Sequence, residues 1–233
     1  MMVPLSASQL RRLRRAGMVL AGPLAMAVLS GCTTTSSTPG PLASSTKSFS
    51  QISPALAQAY AAPTNEPYKI EAVDVAEMDP KYLRQVVDFP TSEPVGTIVV
   101  DPRHRFLYLV QEHGKALRYG VGVGKAGLEF TGTATIQYKK EWPHWTPTND
   151  MVKREPARYM PWQKGMDGGA RNPLGARALY LFKNGKDTLY RIHGTTEPSS
   201  IGKAVSSGCI RLVNQDIIDL YNRVPASTKV VVR

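Results

Sequence analysis

Polar and apolar positions along the chain separate it into a first part without pattern and a second part full of short strands. From residue 96 the runs alternate or are β-branched and end at turn residues. "GTIVVD" (96–101), "FLYLVQ" (106–111) and "ALRYGVGVG" (116–124) read as strands, the last two joined through His113-Gly114. "GTATIQYKKEW" (132–142) alternates over its first half. "RALYLF" and "TLYRIHG" flank "KNGKD", where Asn184-Gly185 is a strong hairpin signal. "AVSSGCIRL" (204–212) and the closing "TKVVVR" (228–233) are further extended runs. Helical spacing stands out once, in "NQDIIDLYNRV" (214–224). There Ile217, Leu220, Tyr221 and Val224 share a face, Asn214 is the expected N-cap and Asp216 lies in the first turn. Many short strands with one late helix predict a mostly β fold, a sandwich or barrel-like domain, not alternating β and α units. Between the strands lies residues 142–176, a long irregular loop rich in Pro and Gly that carries all three tryptophans. An irregular stretch of that length inside a domain usually serves a site, so Trp142, His144 and Trp145 are candidate substrate contacts.

The first 94 residues follow other rules. "RRLRR" (11–15) precedes the apolar "AGMVLAGPLAMAVLS" (16–30), a segment short for a membrane span but suited to a signal peptide. It runs into "LSGC" (29–32), which resembles the lipobox of bacterial lipoproteins and implies cleavage before Cys32 and lipid on that residue. Residues 32–65 are rich in Ser, Thr, Pro and Ala and are expected to be a flexible tether. Residues 66–94 carry short apolar pieces broken by prolines and are expected to be a lead-in that packs on the domain at 95–233.

Charge adds one point. The chain of 233 residues has a formal charge of +11, and four of its arginines lie in the acid-free residues 1–31. The remainder holds 25 basic residues against 18 acidic ones, a basic surface without a block of like charge. No nucleic-acid-binding signature occurs, so nucleic acid is not an expected partner. "GVGKAG" (122–127) fits the glycine pattern of dinucleotide sites, but a β-rich run follows where such a site needs a helix. No zinc motif occurs, and no metal or cofactor is expected.

Cysteine usage is more informative. The chain has two cysteines, Cys32 and Cys209. With lipid on Cys32, Cys209 would be a lone thiol in an oxidising compartment, which points to a reactive group. His193 ends an apolar run sixteen residues earlier. A free thiol is mostly protonated at neutral pH, and an imidazole within reach can take its proton and return it to a leaving amine. An acyl transfer also needs N–H donors for the oxyanion, and Gly208 with Cys209 offers them in the backbone. His104 and His113 lie beside turns and are expected to face solvent.

These residues resemble a family signature. "IHGT" followed by "VSSGCIRL" is similar to that of the L,D-transpeptidases with a YkuD-type catalytic domain, of the ErfK/YbiS kind. The matches fall at His193, Gly194, Ser206, Gly208, Cys209 and Arg211, and the likeness extends over about residues 95–233. The chain departs from the pattern at Ser207, where many members have a second histidine. The resemblance implies a YkuD-like fold and a Cys209 nucleophile with His193 as its base. Gly194, Ser206, Ser207 and Gly208 would shape the site. Arg211 is open between a substrate contact and a structural ion pair. The implied reaction forms a thioester with a peptidoglycan tetrapeptide stem and releases D-Ala. An amine then resolves the thioester, either on a second stem to give a 3→3 cross-link or on a lysine of an outer-membrane protein. Two rivals stay open: hydrolysis of the same thioester, and a non-catalytic wall-binding lipoprotein. The expected location is the periplasm, anchored by the N-terminal lipid, with Thr33 after Cys32 leaning toward the outer membrane.

Overall fold

The structure, a computed structural model, describes residues 53–125 and 130–233. The expected signal peptide, Cys32 and residues 32–52 of the expected tether lie outside the described residues. In chain order the elements are α1 (Pro54–Ala59), β1 (Gln85–Asp88), β2 (Ile98–Asp101), β3 (Phe106–Val110), β4 (Lys115–Gly120), β5 (Val123–Gly124) and β6 (Gly132–Glu141). There follow α2 (Asn149–Arg154), α3 (Pro156–Tyr159), β7 (Arg177–Lys183), β8 (Lys186–His193), β9 (Ala204–Ser206), β10 (Ile210–Arg211), α4 (Asn214–Arg223) and β11 (Lys229–Val232).

The fold is mostly β, as the pattern predicts. Nine strands form one mixed sheet in the order β1-β4-β3-β2-β11-β6-β7-β8-β10, and β5 pairs with β9 apart from it. Both hairpins turn at the expected pairs. His113 and Gly114, and Asn184 and Gly185, all have positive φ, the conformation a tight two-residue turn needs to match strand twist. The C-terminal β11 fills the middle of the sheet, parallel to β2 and antiparallel to β6. That position suits its uninterrupted Val-Val-Val run: Val230 and Val232 are buried in the core and Val231 is half-buried on the other face.

The core joins the sheet to α4. Ile98, Leu107, Ile136, Leu179, Leu181 and Ile192 from the strands pack with Ile217 and Leu220 of the helix. Each buried side chain of this size removes enough apolar surface from water to contribute about 1.5–3 kcal/mol. Asn214 does not cap α4: Val213 holds that position and offers no side-chain hydrogen bond. The Asn214 carboxamide instead ties two loops, accepting from Ala176 N (2.9 Å) and donating to Thr195 O (3.1 Å). A Cβ at Gly194 would lie 2.2 Å from its Oδ1, so the family-like glycine after His193 is there for close packing.

The tether expectation fails from residue 53 onward. Ser53 caps α1 through Leu56 N, and Tyr60 is fully buried against Leu83, Ile201 and Val213. One large aromatic and a capped turn suffice to dock a segment whose composition is otherwise that of a linker. In the lead-in, β1 extends the sheet antiparallel to β4, and Glu66 forms a buried ion pair with Arg177 of β7.

Candidate active site

The site is built where β8 ends and β10 begins. These strands are parallel, with Ile192 opposite Ile210 and His193 opposite Arg211. Cys209 immediately precedes β10, and the same register sets it opposite Arg191. Cys209 and His193 both line a cavity of about 640 Å3, together with Ser206, Ser207 and Arg211. Cys209 is a free thiol, half-buried.

The turn carrying Cys209 is fastened by a serine. Ser206 Oγ donates to Cys209 O (2.6 Å) and accepts from Gly208 N (3.2 Å). Gly208 has φ 130°, which side-chain-bearing residues rarely adopt. The expectation that Gly208 N–H serves the oxyanion needs correction, because Ser206 already occupies that donor. The Cys209 N–H makes no hydrogen bond among the described residues and is the open donor beside the sulfur. Below the turn, Gly122 pairs with Arg211 in both directions (2.9 and 2.8 Å). A Cβ at Gly122 would meet Ser200 O at 2.7 Å, so the glycine of the dinucleotide-like run serves close strand approach.

His193 is 4% exposed, and its Nδ1 donates to the carbonyl of Gly194, the residue that follows it. A carbonyl only accepts, so Nδ1 carries the proton and Nε2 has a free lone pair. The orienting group that the sequence left open is therefore a backbone carbonyl. Burial, then the positive charge of Arg211, pushes the imidazole down to about 3, against the backbone carbonyls of Gly194 and Leu174, which favour its protonation. Burial likewise pushes the Cys209 thiol up. The resting pair is neutral imidazole and neutral thiol, not an ion pair. Attack of such a thiol on a carbonyl would need proton transfer to accompany it instead of preceding it.

Residues 142–176 form the opposite wall, and they are more ordered than their composition suggests. Thr148 caps α2 through Met151 N, with Asp150 in the first turn and Lys153 and Arg154 in the last; Pro156 opens α3. Asn172, fully buried, reaches the carbonyls of Pro143, Met166 and Asp167 with its amide group and accepts from Leu174 N. Of the three expected contacts only Trp145 lines the cavity. Trp142 turns away, donating to Glu66 Oε2 (2.8 Å) and packing on Tyr68, and His144 pairs with Asp167 (2.9 Å) on a half-exposed face. Met151, Tyr159 and Trp162 are among the lining residues that the sequence reading missed. Four arginines (Arg154, Arg158, Arg171, Arg211) also line the cavity, against two carboxylates (Asp150, Glu197). Arg211 forms an ion pair with Glu197 (3.1 Å) on the cavity wall.

Residues 96–232 match the family model described as the L,D-transpeptidase catalytic domain, YkuD. The Escherichia coli K12 protein named "Probable L,D-transpeptidase YbiS" is 32% identical over 150 residues, covering 64% of this chain and 47% of that protein. The chain thus spans about half the length of such curated relatives. A solved structure from Brucella melitensis, described as a probable carnitine operon oxidoreductase, is 54% identical over 69% of this chain and 99% of that one, with a TM-score of 0.46. An L,D-transpeptidase from Mycobacterium smegmatis is 18% identical over 59% of this chain and 58% of that one, with a TM-score of 0.44. With the family model covering more than half of its length, including His193, Cys209 and Arg211, the chain belongs to the YkuD family of L,D-transpeptidase catalytic domains.

Proposed function

We propose that this protein is a peptidoglycan L,D-transpeptidase that works through a thioester on Cys209. The observation that carries the reading is the shared cavity: the free thiol and an imidazole with its Nε2 lone pair available both line it. As the sulfur attacks the carbonyl that precedes a D-amino acid, Nε2 takes the thiol proton. The Cys209 N–H donates to the oxyanion, a contact whose loss typically costs ~10²–10³ in rate. The tetrahedral intermediate collapses, the C–N bond breaks, and the imidazolium returns the proton to the leaving amine. An acceptor amine then attacks the thioester, gives its proton to Nε2, and expels the thiolate, which is reprotonated. One amide is exchanged for another, so no nucleotide energy and no cofactor enter the balance.

The surplus of arginines around the cavity supports a substrate rich in carboxylates, as peptidoglycan stems are. The amine acceptor is a diaminopimelate side chain of a second stem or a lysine of an outer-membrane protein. The site lies in the periplasm under this reading. The basic "RRLRR", the apolar residues 16–30 and "LSGC" support lipid on Cys32, and Thr33 after it supports the outer membrane. Incubation with purified sacculi tests the enzyme. The expected products are free D-Ala and new cross-linked dimers, both absent with Cys209→Ala. Full turnover by Cys209→Ala overturns the mechanism, and shortened monomers without dimers replace transfer by hydrolysis.

A further inference from the structure

The strand that delivers His193 is interrupted next to the nucleophile. Tyr180 pairs with Arg191 and Phe182 with Asp187, so two steps along β7 correspond to four along β8. The additional residues form a bulge at Thr188–Tyr190, a feature common where a strand must re-aim groups toward a site. Leu189 sits at its crest with φ 63°, a conformation unfavourable for a bulky side chain, and its side chain is largely exposed at the cavity.

Several contacts enforce that conformation. Asp187 Oδ1 accepts from Leu189 N (2.8 Å), and the Asp187 carboxylate takes both terminal nitrogens of Arg191 (2.7 and 2.8 Å). Arg191 also donates to Tyr190 O (2.9 Å). Thr188 Oγ1 donates to Leu181 O (2.6 Å) and accepts from Tyr190 N (3.2 Å), which pins the bulge to β7. The guanidinium lies 4.3 Å from the Tyr180 ring centroid, and Tyr180 stacks in turn on Tyr138 (4.3 Å). A strained residue is thus over-determined by a forked ion pair and an aromatic stack, on a segment that faces the sulfur.

Two backbone groups of this bulge meet Cys209. The Leu189 carbonyl lies 4.0 Å from Sγ, the reach of a weak S–H donor, and the β8–β10 register stands the Arg191 backbone opposite Cys209, where its N–H lowers the thiol pKa against burial. The first group accepts from a thiol; the second donates to a thiolate. We propose that the Asp187–Arg191 bulge is a positioning device for the nucleophile, presenting the Leu189 carbonyl to the resting thiol and the Arg191 amide to the thiolate. Asp187 and the Arg191 side chain are positioning residues, since neither need touch substrate. In a site without a second imidazole beside Gly208, the bulge supplies the sulfur with a fixed acceptor and a fixed donor. The inference rests on the nucleophilic role of Cys209 proposed above.

The rate of iodoacetamide alkylation from pH 6 to 10, followed by mass spectrometry at the peptide carrying Cys209, tests it. Two variants are compared with the wild type: Asp187→Ala, which removes the clamp, and Arg191→Lys, which keeps the charge but loses the fork and the stack. The signs separate the explanations. The negative charge of Asp187 by itself raises the thiol pKa, so removing only that charge would move the midpoint down. Loss of the positioned amide moves it up, and the Leu189 carbonyl, 4.0 Å from a weak S–H donor, is too weak an acceptor for its loss to cancel that. The expected result is a higher midpoint in both variants and about tenfold slower alkylation at pH 7.5, since a midpoint about one pH higher leaves about a tenth of the thiolate. An unchanged or lowered midpoint in folded protein overturns the proposal, and Arg191→Lys decides it where Asp187→Ala does not fold. Alkylation needs no peptidoglycan. A Cys209→Ala protein that still turned over stems would therefore end the functional reading without touching this measurement.

Discussion

Arg211 stands opposite His193 in the parallel pairing of β8 with β10, one residue beyond the strand start that follows Cys209. Its positive charge reinforces burial in holding the imidazole neutral. A histidine pushed down to about 3 does not titrate between pH 5 and 8, while burial pushes the thiol above its ordinary value. The expected profile of kcat/KM for acylation is therefore level from pH 5 to 8, because the reactive pair of neutral imidazole and neutral thiol neither gains nor loses a proton in that range. Steady-state rates across pH 5 to 10 check it. A bell with an acid limb near 6.5 would mean that the imidazole titrates freely and that the neutral-pair description is wrong.

Ser206 is buried beside Cys209 and holds both ends of its turn, through Cys209 O and Gly208 N. Ser206→Ala removes both contacts and frees a φ that only glycine tolerates well. A displacement of the sulfur by a fraction of an ångström suffices to lower kcat roughly 100-fold with little change in KM. Ser206→Thr keeps the hydroxyl and is expected to recover part of the rate. Single-turnover acylation measures both variants, and an undiminished rate for Ser206→Ala removes the turn from the mechanism.

Which of these features the chain reveals before folding depends on their range. The hairpins at His113-Gly114 and Asn184-Gly185 were legible because type and place of turn are written in two adjacent residues. Cys209 and His193 stood out because a lone thiol and an imidazole carry their chemistry in their residue types, and the structure places both at one cavity. The bulge was not: Thr188 to Tyr190 is apolar and β-branched in the manner of any strand, and the ion pair that shapes it joins Asp187 to Arg191 only once the register has shifted. The helical turns of residues 149–159 were hidden because each is shorter than the window in which a helical period can be seen, and Pro156 divides them. Asn214 was misjudged for a physical reason as well. An Asn before an amphipathic run is a good cap, and only the close approach of Gly175 and Gly194 draws its side chain elsewhere.

A buried network fastens the segment before the sheet to α4. Tyr60 Oη accepts from Arg84 N (2.6 Å) and donates to Asp216 Oδ2 (3.0 Å). Arg84 bridges Asp216 and Asp219, and Tyr119 donates to Asp219. Burial raises Asp216 to about 7 despite Arg84. Its folded pKa thus exceeds the unfolded value near 3.9, so its contribution to stability is fullest below that value and is lost as pH rises through about 7. Asp216→Asn is accordingly expected to gain on the wild type between pH 5 and 8, as judged by denaturant midpoints at each pH. A constant difference over that range would show that the carboxyl does not titrate there. Tyr60→Phe strands a buried donor and acceptor and is expected to cost about 1–3 kcal/mol at either pH.

Glu66 is the second anchor, and its removal should be the more damaging. Its carboxylate takes both terminal nitrogens of Arg177 (2.6 and 2.9 Å) and the Trp142 indole (2.8 Å), with both side chains of the ion pair almost wholly buried. Glu66→Ala leaves a guanidinium inside the protein with the Ala176 carbonyl (2.9 Å), the Tyr221 ring and the 3.8 Å approach of the exposed Glu141 as its remaining partners, none of them a close carboxylate. Breaking one side of a buried pair costs about 3–5 kcal/mol, because the remaining charge is left without its partner. Trp142→Phe removes a single neutral donor and is expected to cost about 1 kcal/mol. The double variant Glu66→Ala with Arg177→Met is expected to regain most of the loss, since the unpaired charge goes with its partner. Urea unfolding of the four proteins gives the comparison. If Glu66→Ala costs no more than Trp142→Phe, the residues before the sheet are merely appended to the domain and do not hold the wall behind Trp145 in place.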